Sequence, residues 1–262
     1  MAPCFQGGNK ILRALKWYKD LLDNKKRSVE GYFLVEGNNS VNQILSVNKS
    51  AIEELLVVES QAPEYEKYSI PMRILSDVQL SSVCSCRTPQ GIVALVKIPP
   101  KVYTSDLPEN IQGNVLVLEH VQDPGNVGTL IRTAAALSFN GVIMTNQCAD
   151  PFSTKVAQAS AGSLFSLWLR RTDRYLSLID QLKEKQYSVL TADLHGDPHV
   201  DFSKYENQIL VLGNEGAGVT AAMIEKTDVR FSIPMNSSRV ESMNVAISGG
   251  IVMFASMMKF KW

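Results

Sequence analysis

The chain has 262 residues, 45% apolar and 20% charged, an ordinary globular composition long enough for one large domain or two smaller ones. Lys+Arg and Asp+Glu both number 26, so no overall charge draws it to a polyanion. No apolar run reaches the roughly 20 residues of a bilayer span, the start lacks a secretory layout, and Cys4, Cys84, Cys86 and Cys148 follow neither disulfide nor zinc spacing, which excludes membrane and metal classes and predicts a cytoplasmic protein with reduced thiols.

Residues 9–24 place Ile11, Leu15, Tyr18 and Leu22 at helical spacing, which predicts an amphipathic opening helix. Between positions 10 and 27 seven bases face two acids, ending in Lys25-Lys26-Arg27. Such a cluster is either a solvated helix end or an anchor for phosphates. A strand over 32–35, a helical pattern through Val41, Ile44 and Leu45, strands over 55–58 and 73–75, a short helix over 77–83 and a strand over 91–96 describe a small α/β/α unit. Pro99-Pro100 and the polar stretch to Gly113 predict a semi-rigid linker, dividing the chain into units 1–104 and 105–262.

Beyond the linker, strands and helices alternate. Strands are predicted over 115–118, 141–144, 166–169, 187–192, 208–212 and 229–233, and helices over 127–139, 154–161, 175–185, 221–226 and 243–258. This alternation predicts a mostly parallel sheet with both faces covered. Ligands of such sheets gather at the C-terminal strand ends, and three loops there are unusually polar.

The first, residues 118–137, turns at Asp123-Pro124-Gly125 and places Asn126 where a helix N-cap belongs. In the following helix Val127, Leu130, Ile131 and Ala134 share one face, leaving Arg132 opposite, beside Gly128. A cap and a surface base would explain both residues equally well. In the second loop, residues 209–219, a buried strand empties through Leu212 into the turn Gly213–Gly218. Its spacing is G-x-x-G-x-G, no dinucleotide fingerprint, and Glu215 would repel a phosphate, so a neutral or cationic ligand suits it. A nicotinamide-dependent dehydrogenase is excluded on that spacing. The third loop, from Ile233 to Asn244, runs into an apolar helix that begins inside the protein, and its orphan N–H groups need a cap such as Ser242 or a ligand.

In order, L-E-x-V-Q-D-P-G-N-x-G-x-x-x-R-T, L-G-N-E-G-x-G and I-P-M-x-x-x-x-x-E-S-M-N-V-A resemble the three motifs of the SpoU (TrmH-type) RNA ribose 2′-O-methyltransferases of the SPOUT superfamily, over about residues 113–262. Residues 10–98 are similar to the ribosomal-protein-L30-like substrate-binding domain that often precedes them. The resemblance implies an α/β fold with a C-terminal deep trefoil knot, an enzyme using S-adenosyl-L-methionine on RNA, and a homodimer with composite sites. It implies no metal. rRNA is the expected substrate, with tRNA or a non-catalytic RNA-binding role as alternatives. Carried over by position, Asn126, Arg132, Glu215, Ser242 and Asn244 are the catalytic set. Leu212, Gly213, Ile233, Met235 and Met243 hold the cofactor, and Lys25, Lys26 and Arg27 bind RNA. His120 and Met243 depart from the pattern, standing where Asn and Leu are frequent.

Overall fold

The computed structural model describes residues 13–236 and 238–262. Two sheets organise it. The front sheet has the order β1-β4-β2-β3, formed by β1 (Tyr32–Glu36), β2 (Ile52–Val58), β3 (Met72–Leu75) and β4 (Ile92–Lys97), with β4 antiparallel to both β1 and β2. Helix α3 (Asn38–Asn48) buries Val41, Ile44 and Leu45 at the predicted spacing.

The opening helix is two helices. α1 (Leu15–Asp20) stops before Asp23, and α2 (Asn24–Glu30) starts on it, the Asp23 carboxylate accepting from the N–H groups of Lys25 and Lys26. A short acid that bonds its own downstream backbone favours a cap over a helix interior, which is why the apolar spacing overran the break. Positions 9–12 of that expectation, with Lys10 and Ile11, lie outside the described residues. A further short helix, α4 (Ala62–Tyr65), precedes β3 and was not anticipated, whereas α5 (Asp77–Val83) follows it with a Ser76/Gln79 capping box.

The expected linker is packed in place. Val102 is buried and its carbonyl accepts from Arg171 N–H, Ser105 Oγ pairs with Thr172 Oγ1, and the Asp106 carbonyl accepts from Arg170 Nε. Its apolar residues, Val102, Leu107 and Ile111, seat it against the back half, which low mean hydropathy concealed.

The back sheet is parallel throughout, in the order β10-β8-β9-β5-β6-β7. Its strands are β5 (Val115–Leu118), β6 (Gly141–Met144), β7 (Trp168–Arg171), β8 (Ser188–Asp197), β9 (Gln208–Leu212) and β10 (Val229–Phe231). Every residue of β5, β6 and β9 is buried, as both-face coverage demands. The helices are α6 (Pro124–Ala136), α7 (Thr154–Ala159), α8 (Tyr175–Glu184), α9 (Ala221–Lys226) and α10 (Val245–Met257). Strand β7 starts two residues later than expected, and β8 runs five residues further.

The chain builds outward from β5 to β7 and then crosses to the other side, where β9 later inserts between β5 and β8. Strand order reverses beside β5, where open α/β sheets place ligands. Helix α10 lies on α6 and β9, and Gly249 permits this: an added Cβ would stand 2.3 Å from Leu130 Cδ2 and 2.7 Å from Leu212 Cδ1. No helix among the described residues is long and apolar enough to cross a membrane.

Front and back halves share a packed seam. Arg27 is 4% exposed; its Nη2 lies 2.5 Å from Asp150 Oδ2, and its Nη1 donates to the carbonyls of Leu21 and Leu22. Beside it the Phe33 ring meets that of Phe152, centroids 4.9 Å apart, and Gln158 Nε2 donates to Glu36.

Candidate functional site

The N-terminus of α6 shows how the first polar loop works. Asp123, not Asn126, is the N-cap, its carboxylate accepting from Asn126 N–H at 2.8 Å with Pro124 at the first helical position. Asn126 therefore keeps its side chain for other partners. Its Nδ2 donates to Glu215 Oε1 at 3.0 Å, and its Oδ1 accepts from Asn244 Nδ2 at 3.0 Å. Asn244, in turn, caps α10 through Oδ1, which accepts from Ala246 and Ile247 N–H. One chain of hydrogen bonds, Glu215–Asn126–Asn244, ties three loops that lie 118 positions apart at their extremes.

This corrects two expectations about caps: Asn126 is not one, and the last helix is capped by Asn244 rather than Ser242. A third correction concerns Gly128. It is buried where α6 meets α7, an added Cβ standing 2.5 Å from that of Ala159, so it serves helix packing rather than clearance for Arg132. Arg132 itself is exposed on α6 and makes no ion pair among the described residues.

Next to this chain lies a cavity of about 410 Å³, within the ordinary range for small-molecule sites. Leu212, Gly213, Ile233, Met235 and Met243 line it, and so do Glu215 and Ser242. Asn126 stands at its rim through its bond to Glu215 and Asn244 through its bond to Asn126, while Arg132 is not among its lining residues. The turn over it is tightly made. A Cβ on Gly213 would meet the Gly218 carbonyl carbon at 2.4 Å, and Asn214 Oδ1 accepts from Gly216 and Ala217 N–H.

One wall was missed from sequence. Thr191 pairs with Arg230, but the next pair is Asp197 with Phe231, so residues 192–196 leave the ladder as a bulge. That bulge turns Ala192, Asp193, Leu194 and His195 toward the cavity. Burial opposes ionisation of Asp193, yet the His195 backbone N–H and the Arg230 guanidinium, 2.6 Å away, outweigh it and hold the carboxyl below its usual range. The rule that ligands sit at strand ends applied to β8 as well, and was the available signal.

The predicted RNA anchors separate. Lys25 is exposed, Lys26 Nζ is 2.6 Å from Glu30, and Arg27 is consumed in the seam. Arg27 is corrected from an RNA contact to an internal tie. The described cysteines, Cys84, Cys86 and Cys148, are free thiols. Cys84, Cys86 and Glu36 place their Sγ and carboxylate atoms within 4.8 Å of one another. Burial first, and then Glu36, push the thiols up to about 12 and about 11.

Comparison with known proteins agrees with this geometry. The SpoU rRNA Methylase family model matches residues 113–254, which contain all three loops. The chain belongs to the SpoU rRNA methylase family. An MRM3-like substrate binding domain matches residues 13–94 of this SpoU protein. It is 34% identical over 242 residues to the 23S rRNA (guanosine(2553)-2′-O)-methyltransferase RlmP of Bacillus subtilis, covering 92% of this chain and 94% of that one. The 23S rRNA (uridine(2479)-2′-O)-methyltransferase of Streptomyces viridochromogenes is 27% identical, with 92% and 88% covered. The crystal structure of the SpoU methyltransferase AviRb from the same organism, in complex with AdoMet, superposes with a TM-score of 0.81 at 25% identity, covering 93% of this chain and 96% of that one.

The cavity fits S-adenosyl-L-methionine. Leu212, Ile233, Met243 and Val245 offer apolar contact, and Glu215 supplies negative charge for a sulfonium.

Proposed function

We propose that this protein transfers a methyl group from S-adenosyl-L-methionine to a ribose 2′-hydroxyl of RNA, with 23S-type rRNA as substrate. The observation that carries the reading is the Glu215–Asn126–Asn244 chain of hydrogen bonds at the rim of a cavity fitted to that cofactor. When bound, S-adenosylmethionine supplies a methyl group activated by its positive sulfur. Leu212, Gly213, Ile233, Met235 and Met243 hold it, and Glu215, Ser242 and Asn244 shape the edge where the ribose enters. Arg132, whose guanidinium offers donors and no acceptor, grips the adjacent phosphate and polarises the 2′-hydroxyl. The proton leaves to water. Residues 1–104 bind the RNA and residues 105–262 carry the chemistry, in the cytoplasm.

Composite sites in a homodimer account for the position of Arg132 away from its own cavity. The small residues Ala246, Gly249 and Ala255 of α10 are buried within the chain. The opposite side carries an exposed apolar stripe, Ile247, Ile251, Phe254 and Met258, at helical spacing. We assign that stripe to the two-fold contact. The segment from edge strand β10 back to α10, over the middle of the sheet, is read as the trefoil knot.

The decisive experiment is transfer of labelled methyl from S-adenosylmethionine to total RNA, with the product nucleotide mapped. A 2′-O-methyl product on the large-subunit rRNA is expected; a base-methylated nucleotide overturns the reading. For the dimer, inactive Arg132→Ala is mixed with inactive Gly213→Trp. Activity returns after subunit exchange if one chain lends the arginine and the other the pocket, and its absence after proven exchange rejects shared sites.

A further inference from the structure

Glu119 is a carboxylate with no access to water, directly after β5. Burying an anion is unfavourable unless its acceptors are filled, and no basic side chain pairs with it among the described residues. Three donors answer it instead. Thr220 gives two, N–H to Oε2 and Oγ1 to Oε1, both at 2.7 Å, and Tyr175 donates its hydroxyl to Oε1. Burial, and then Glu119 itself, push that hydroxyl up to about 12, so it remains a donor at working pH.

Thr220 is the residue that closes the glycine turn and opens α9, where its Oγ1 accepts from Met223 N–H. Glu119 thus fixes the far end of residues 213–219 by both backbone and side chain. The near end is held by the next residue along: Asn214 Nδ2 donates to the His120 carbonyl at 2.9 Å. His120 has φ +60°, and its N–H is held by Thr145 Oγ1, so the chain reverses between the two grips. Asn and His are among the side chains that adopt this left-handed region most readily, which is why either serves at position 120. The Glu119 backbone N–H, donating to the Leu212 carbonyl, registers the pair against the strand that feeds the turn.

We propose that Glu119 is a positioning residue for the cofactor, clamping the turn 213–219 over the cavity through Thr220. This rests on the reading of the cavity as the S-adenosylmethionine site. An apolar side chain at 119 would fill the same space but leave both Thr220 donors unanswered. The carboxylate is there to hold the turn. Tyr175 bonds the same carboxylate without belonging to the turn, which makes it the control.

The test measures three quantities on the full chain: S-adenosylmethionine affinity by calorimetry, Tm, and amide hydrogen exchange over 213–219. Glu119→Ala leaves the Thr220 donors unpaired, and is expected to weaken affinity about tenfold or more and to speed exchange in the turn. Glu119→Gln restores both, because its carbonyl accepts from Thr220 N–H while the two hydroxyls turn to accept from its amide. Tyr175→Phe lowers Tm and leaves affinity and turn exchange unchanged. Should Glu119→Ala fail to fold, Thr220→Ala carries the same expectation. Loss of Tm with unchanged affinity and exchange in Glu119→Ala, or equal losses of affinity in Glu119→Ala and Tyr175→Phe, overturns the clamp. A wild-type protein that binds no S-adenosylmethionine overturns the cofactor assignment instead, and turn exchange in Glu119→Ala then still decides whether Glu119 holds the loop.

Discussion

The two halves of the molecule hold their charged and polar side chains in opposite ways. In the front half, the residues that look most available for a ligand are consumed by the fold. Asp23 caps α2, Lys26 pairs with Glu30, and Arg27 spans the seam to Asp150. In the back half the cap of α6 is a residue outside the catalytic set. Because Asp123 caps α6, Asn126 can join Glu215 to Asn244, and Arg132 remains exposed with no ion pair among the described residues. Residue type and position in a motif therefore say less than what each polar group is already bonded to.

Arg27→Ala should break the comparison most severely. It leaves Asp150 buried without its partner, and loss of one member of such a pair destabilises by about 3 kcal/mol or more, read as a shift in denaturation midpoint. If Arg27 were an RNA anchor instead, RNA affinity would fall while stability held. Arg132→Ala should do the reverse in the back half. Turnover falls by about 100-fold while stability and S-adenosylmethionine affinity stay near wild type, because the side chain is exposed.

A pH experiment sharpens the seam. Cys84 and Cys86 ionise less readily folded than unfolded, burial being the larger cause and Glu36 the next. Protons therefore leave the unfolded chain first. The contribution of these thiols to stability is complete below the ordinary thiol value of 9.0 and is lost as pH rises through about 11 and about 12. Urea midpoints at pH 8 and pH 10 should drop further for the wild type than for the Cys84→Ala/Cys86→Ala variant. Native-state alkylation at pH 8 should also be slow. The smallest effect is expected at Lys25, which is exposed: Lys25→Ala should lower the slope of log affinity against log salt by about 0.9, and Lys26→Ala by less.

Local pattern alone determined the alternation of strands and helices after residue 115, the burial of β5, β6 and β9, the helical spacing of Val41, Ile44 and Leu45, and the three polar loops that carry the family motifs. These depend on period and composition, which a stretch of chain carries within itself. Only the tertiary structure decided how polar groups are shared. It made Asp123 the cap and released Asn126, buried Arg27 against a residue 123 positions away, turned Ala192–His195 into a cavity wall through a bulge, and set Glu119 against Thr220. A hydrogen bond or ion pair between distant segments leaves no periodic trace. Each acid, amide or base has several admissible partners, and only packing selects among them.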